Sequence, residues 1–357
     1  MIYITTHHRT KNFGACLQSY ALQKTLDSMG YDSRLILLRD ERDKKPPKAL
    51  KKRVRHYFLK LYRFFHRRTI LKGEEAFNEF FLKYHKTTSP YENFATLQKN
   101  PPKGEVYLSG SDQVFNPTDV KPLFFLQFGD KNTKRISYAG SVSVQNVPEN
   151  AKEIFRRYLS AFDRLSIRES ESLPLVNAYY DKNVEVHVDP SYLLAKEEWE
   201  KLSAESRRTP LKKPYILVYI LYRPLWLNAY LKKLYKETGY EIVTVQYDTY
   251  RRIYGTKTVR DAGPLEFLKL IRDAEMVISS SYHGCVFSSI FKKPFYAVVN
   301  PASPARIHSM LQLFHLTDRV LSAETKPAFE IDYTYFEEVL PKEIEKSKRY
   351  LKEAIEG

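Results

Sequence analysis

The chain has 357 residues, 43% of them apolar and 14% aromatic, and a formal net charge of +16. That length exceeds one ordinary core and suits two α/β domains, and the apolar content excludes a disordered chain. The only two cysteines, Cys16 and Cys285, exclude a disulfide scaffold and show no metal-ligand spacing.

In chain order, residues 2–6 (IYITT) read as a buried strand, followed by a loop with Asn12 and Gly14. Leu17, Ala21, Leu22, Leu26 and Met29 then fall at helical spacing over 15–29, with Gly30 as the stop. Further strands are expected at 34–38, 105–108, 135–139, 164–168, 184–188, 215–221, 241–247, 275–279 and 295–299. Helices are expected at 151–162, 225–237, 264–274 and 284–292, with an amphipathic tail over 335–356. Strands alternating with helices predict parallel sheets covered on both faces. The expected domains are 1–189 and 190–357, each Rossmann-like, the second carrying the terminal helix.

The basicity is local. Lys44 to Lys72 holds seven Lys, five Arg and no acid, which is +12 of the +16 and leaves about +4 elsewhere. This concentration, without aromatics grouped on a strand face, argues against a nucleic-acid surface. Val54, Tyr57, Phe58, Leu61, Tyr62 and Phe65 share one helical face in that stretch, so 44–72 reads as a basic amphipathic insertion. Such a helix suits an anionic membrane surface, and it equally suits an apolar face packed on its own domain. The start, MIYITTHHRTKN, has no basic region leading an apolar run, and no apolar stretch is long enough to span a bilayer. The expectation is a cytoplasmic protein, at most peripheral on a membrane.

Ligands of parallel α/β sheets bind beyond the carboxyl ends of strands. Five polar clusters follow predicted strands. Asn12-Phe13-Gly14 opens the first helix, with Asn12 as a cap or Gly14 as a point of close approach to an anion. Ser109-Gly110-Ser111-Asp112 suits an anion or sugar pocket, or a capped turn. Arg168-Glu169 offers a guanidinium fork, or a local ion pair. Asp189-Pro190 holds a partner across the interdomain cleft, or caps the turn that follows. Ser281-Tyr282-His283-Gly284 places a histidine at a strand-to-helix junction, where the helix dipole favours anions. No Walker loop, HExxH, GxSxG or paired CxxC is present, and adjacent His7-His8 is a poor metal pair. No metal or cofactor is expected.

The ordered set NFGACLQSYALQKTL, SGSDQVFNP, KRISYAGS, SIRES, VDPSYLL, SSYHGCVFSSIFKKPF and LTDR resembles the polysaccharide pyruvyl transferase family over roughly residues 1–320. Two positions depart from the family's habit: Tyr282 where Phe is common, and Phe115 where Trp is frequent. The resemblance implies a GT-B-like pair of domains. It also implies transfer from phosphoenolpyruvate to two hydroxyls of a saccharide, giving a pyruvate ketal and phosphate. The acceptor would be a polysaccharide or a lipid-linked saccharide. The family's "RE" arginine falls on Arg168 and its "S-x-H-G" histidine on His283. On that reading Arg168 clamps the donor with help from loops at Gly14, Ser111 and Gly284. His283 is the general acid, and Glu169 or Asp112 orients the hydroxyls. The competing enzyme reading is a GT-B glycosyltransferase with a nucleotide-sugar donor. Binding of nucleic acid and a purely scaffolding role are the non-enzymatic alternatives.

Overall fold

The structure is a computed structural model, and it describes residues 1–39, 65–246 and 253–357. Residues 44–64 of the basic segment therefore lie outside the described residues. Its described end enters a helix, Arg67–Tyr84, which turns Ile70, Phe77, Phe80 and Phe81 inward. Phe65, just ahead of it, is 72% exposed.

Two parallel sheets carry the fold. The first comprises β1 (Ile2–Thr5), β2 (Ser33–Leu35), β3 (Val106–Ser109) and β4 (Lys134–Ser137), in the order β2-β1-β3-β4. Single bridges Ile136–Arg164 and Gly140–Ile167 extend it to β5 (Leu165–Ile167), which pairs with β6 (Val184–Val186). The second contains β7 (Tyr215–Tyr219), β8 (Glu241–Val245), β9 (Lys257–Val259), β10 (Met276–Ser279) and β11 (Phe295–Ala297), in the order β11-β10-β7-β8-β9. Every pairing between these strands is parallel. Strands β3, β7 and β10 are buried at every residue, as strands covered on both faces must be. Strand order reverses between β1 and β3 in one sheet and between β7 and β10 in the other. Their carboxyl ends are the places where such sheets bind ligands.

The first helix, Phe13–Ser28, joins the two sheets. Phe13 stacks on Phe267 (4.4 Å between centroids, 4° between planes) and on Phe77 (5.1 Å), and meets Tyr219 edge-on. Tyr20 meets Trp199 edge-on at 5.8 Å. One apolar cluster accordingly runs from Ile4 and Leu108 through Leu17 and Trp199 to Val277 and Phe287. Each such aromatic pair adds about 1 kcal/mol beyond its buried area. The terminal helix, Thr334–Glu356, returns to the first sheet, where Tyr350 donates to the Ser137 carbonyl (2.8 Å) and Lys134 to the Ile355 carbonyl (2.9 Å). Its final turns belong in space with the amino-terminal half, although the sequence groups them with the other. Among the described residues no helix is long and apolar enough to cross a membrane.

Three histidines sit inside this frame. Burial, the largest influence on each, holds His8 down to about 4, and His85 and His187 to about 3. A group whose folded value lies below its unfolded value of about 6.5 binds protons preferentially when unfolded. Stability is therefore full above that pH and falls as pH drops toward about 4. By about pH 5 the loss is on the order of 2 kcal/mol per histidine. The urea midpoint should be level above about pH 7 and fall steadily from there to about pH 5, and His85→Gln should flatten that fall. A midpoint that is level across this range would contradict the burial argument.

Candidate functional site

The turn after β10 is fixed by its serines. Ser279 Oγ donates to the Tyr219 carbonyl (3.0 Å) and accepts from the Ser281 amide (3.0 Å). Ser280 Oγ accepts from the amides of Leu221 and Tyr222 (2.7 and 2.9 Å), pinning the loop that leaves β7. Ser281 caps the helix Tyr282–Ile290, its Oγ accepting from the Gly284 amide at 3.4 Å. His283 thus lies within the first turn of that helix rather than ahead of it. A side chain at Gly284 would put a Cβ 2.2 Å from Ser279 Oγ, so this turn admits only glycine there. Asn12 caps the first helix by accepting from the Ala15 amide (3.3 Å). A Cβ on Gly14 would fall 2.1 Å from His283 Nδ1, so glycine is what lets the histidine lie against that helix start.

The polar cluster forms around Arg168, whose side chain is fully buried at the end of β5. Its Nε donates to Glu169 Oε1 (3.0 Å) and its Nη1 to Asp189 Oδ2 (2.8 Å). Its Nη2 makes no hydrogen bond and stands 3.6 Å from Asp112 Oδ1. The fork expected to be free for a donor is therefore largely committed to the protein's own carboxylates. Asp189 is the second hub. Its Oδ1 accepts from the Ser191 amide (3.0 Å), so the capping role and the cleft role coexist. Its Oδ2 lies 3.1 Å from Ser111 Oγ and 3.4 Å from His283 Nε2. Ser111 Oγ also lies 2.8 Å from the Ala139 carbonyl, and its one proton serves one acceptor at a time. Ser109 is buried in β3 with its hydroxyl unpaired, and it makes no contact with this cluster through that hydroxyl.

Electrostatics bind the cluster together. Burial works to raise the Asp189 carboxyl, but the His283 contact, the Arg168 charge and the Ser191 amide override it and hold the carboxyl below the usual carboxylate range. Asp112 behaves alike: burial is outweighed by Arg168, His283 and Arg306. Burial opposes the Arg168 charge, yet Glu169, Tyr282, Asp189 and Asp112 raise it above the ordinary guanidinium value. Asp112 adopts a left-handed backbone (φ +74°), a strained conformation outside glycine that positions its carboxylate.

Arg306 escaped the sequence reading, and Tyr282 entered it only as a neighbour of His283 and a departure from the family's habit. Tyr282 offers its ring to the Arg168 guanidinium at 4.1 Å and to that of Arg306 at 5.8 Å. Arg306 sits in the first turn of the helix Ala305–Leu313, with its Nη2 3.8 Å from Asp112 Oδ1. A proline-rich loop, NPASPAR, beyond the carboxyl end of β11 was the available signal for it. Arg168 and Tyr282 also wall a cavity of about 230 Å³ with His187, Tyr192, Met310 and Phe314. A larger cavity of about 910 Å³, lined by Lys72, Arg208, Glu241, Asp261 and Glu266 among others, touches none of these residues. Among the described residues no group of three or more His, Cys, Asp or Glu is arranged to hold a metal.

Two parallel doubly wound sheets with a buried polar cluster at the joint between them define a GT-B-fold enzyme. The UDP-GlcNAc 2-epimerase of Neisseria meningitidis, solved with UDP-GlcNAc, matches 99% of this chain over 99% of its own length, with a TM-score of 0.50 and 12% identity. The UDP-N-acetylglucosamine 2-epimerase of Rickettsia bellii matches 99% of this chain over 96% of its own, with a TM-score of 0.51 and 10% identity. Likenesses this remote in sequence speak for the fold. A sequence search of curated proteins gave no match. The family model for polysaccharide pyruvyl transferase matches residues 12–301, most of the chain, and the protein belongs to that family of enzymes.

Proposed function

We propose that the protein transfers pyruvate from phosphoenolpyruvate to a pair of neighbouring hydroxyls on a saccharide. The observation that carries this reading is His283, held 3.4 Å from Asp189 beside the buried Arg168, on a chain of pyruvyl transferase sequence. The buried cluster counts Arg168 and Arg306 against Asp112, Glu169 and Asp189. His283 lies against that cluster through Asp189, a position that suits a proton donor.

In the proposed reaction a proton adds to the methylene carbon of the enol, and the first hydroxyl oxygen bonds to the adjacent carbon. The phosphate–carbon bond then breaks, and the second hydroxyl closes the ketal. One hydroxyl proton ends on the new methyl group through the acid, and the other leaves with phosphate, so the step needs no oxidant or reductant. His283 supplies the first proton. Asp189 orients its imidazole and stabilises the imidazolium, and Asp112 receives a hydroxyl proton. Burial of the cluster strengthens each of these charge interactions.

The test is calorimetric titration with phosphoenolpyruvate, joined to phosphate release over a panel of pyranosides with free neighbouring hydroxyls. Saturable binding, and phosphate release that depends on the saccharide and vanishes in His283→Ala, is expected. Stabilisation by uridine diphosphate with no response to phosphoenolpyruvate would instead favour a nucleotide-sugar donor, as the competing reading requires.

A further inference from the structure

We propose that Arg306 is the residue that binds the phosphate of the donor, a role that rests on the pyruvyl-transfer reading above. The case begins with what Arg168 lacks. Its Nε and Nη1 are taken by Glu169 and Asp189, so a dianion could reach it only through Nη2. One nitrogen cannot provide the two-pronged grip that phosphate recognition favours.

Arg306 supplies what is missing. Its Nε is buried and has no hydrogen-bond partner, and its Nη2 stands 3.8 Å from Asp112, beyond hydrogen-bond reach. Asp112 Oδ1 therefore has a guanidinium nitrogen on each of two sides, at 3.6 and 3.8 Å, and is hydrogen-bonded to neither. Two arginines flank Asp112 with donors that make no hydrogen bond, Arg168 Nη2 and Arg306 Nε, and Arg168 is fully buried. An oxyanion beside Asp112, within reach of both side chains, would accept from them. Burial and the nearby Arg168 charge oppose the Arg306 charge and hold it below the ordinary guanidinium value, an opposition that a dianion relieves. The Tyr282 ring faces both guanidiniums, at 4.1 Å from Arg168 and 5.8 Å from Arg306.

The place of Arg306 in the chain fits a ligand-facing role. It lies at the carboxyl-end side of the second sheet, in the first turn of a nine-residue helix whose free amides favour an anion. It also falls beyond residue 301, where the match to the family model ends. Its side chain retains 17% exposure, so replacing it removes no buried hydrogen bond.

The experiment compares wild type, Arg306→Gln and Arg306→Lys by calorimetry with three probes: phosphoenolpyruvate, inorganic phosphate and pyruvate. Losing two charge-assisted hydrogen bonds should weaken phosphoenolpyruvate and phosphate binding by about 10- to 100-fold in Arg306→Gln. Arg306→Lys, which keeps the charge but not the fork, should fall between. Pyruvate, which has no phosphate, should bind all three proteins alike. If phosphoenolpyruvate binds wild type and Arg306→Gln equally, Arg306 is not the anchor, while the pyruvyl-transfer reading stands. If wild type binds neither phosphoenolpyruvate nor phosphate, both readings fall together.

Discussion

Asp189→Ala is expected to destabilise the protein by about 3 kcal/mol and to abolish saccharide-dependent phosphate release, the larger of the two effects being on activity. The stability loss follows from what is left behind. Arg168 is fully buried, and its shortest ion-pair contact, 2.8 Å, is to Asp189. Removing one partner of a buried ion pair leaves a charge that water cannot reach, at a cost of about 3–5 kcal/mol. Glu169 remains within 3.0 Å of the same guanidinium and keeps the loss toward the lower end. The Ser191 amide and the Ser111 hydroxyl lose an acceptor as well. Asp189→Asn should restore much of the stability, since an amide oxygen still accepts from Ser191, but little of the activity, since His283 loses its carboxylate neighbour. Urea midpoints and phosphate release on the three proteins separate the two roles. Wild-type turnover in Asp189→Asn would remove the carboxylate from the mechanism. The linkage sign agrees: Asp189 and Asp112 are held below the usual carboxylate range. Their contribution is present above about pH 4 and is lost as acid protonates them.

Much of this architecture was legible in the sequence because each element obeys a local rule. The runs at 105–108, 275–279 and 295–299 have apolar centres (VYL, MVI and FYAVV), and they fold as Val106–Ser109, Met276–Ser279 and Phe295–Ala297. Helices followed from spacing in the same way: 264–274 folds as Pro264–Arg272 and 225–237 as Leu227–Thr238. The parallel sheets followed from the alternation of strands with helices, and their GT-B-like pairing from the family resemblance alone. Three-residue β9, Lys257–Val259, was invisible, since a short edge strand with one buried residue carries no period. The helix Arg67–Tyr84 was cut short at residue 72 because its first turns share the basic pattern ahead of them.

The candidate site was legible as a list but not as a geometry. Asn12 and Ser281 turned out to cap helices, and Ser279 and Ser280 to pin the turn after β10. A hydroxyl beside a strand end serves backbone or ligand equally well, and sequence does not choose between them. That Asp189 would join Arg168, Ser111, Ser191 and His283 depends on the ends of four separate strands meeting. Arg306 joins by the same route, since nothing local links it to Asp112, almost two hundred residues earlier.

Gly14→Ala tests that meeting of elements most directly. Alanine favours a helix interior over glycine by about 1 kcal/mol, so on local grounds the change should stabilise the first helix. The tertiary environment reverses that expectation. The new Cβ would lie 2.1 Å from His283 Nδ1, 2.2 Å from Cγ and 2.5 Å from Cβ. These are the root and near edge of the imidazole rather than a flexible tip, so the ring or the helix must move. The helix is held by Phe13 against Phe267 and Phe77, so the ring is the part that yields. A displacement near 1 Å at a proton donor costs on the order of 100-fold in turnover. Helical content should be kept, because Phe13 anchors the helix start. Saccharide-dependent phosphate release should fall by about 100-fold. Turnover at the wild-type rate in Gly14→Ala would mean that His283 performs no chemistry from the position it occupies against the first helix.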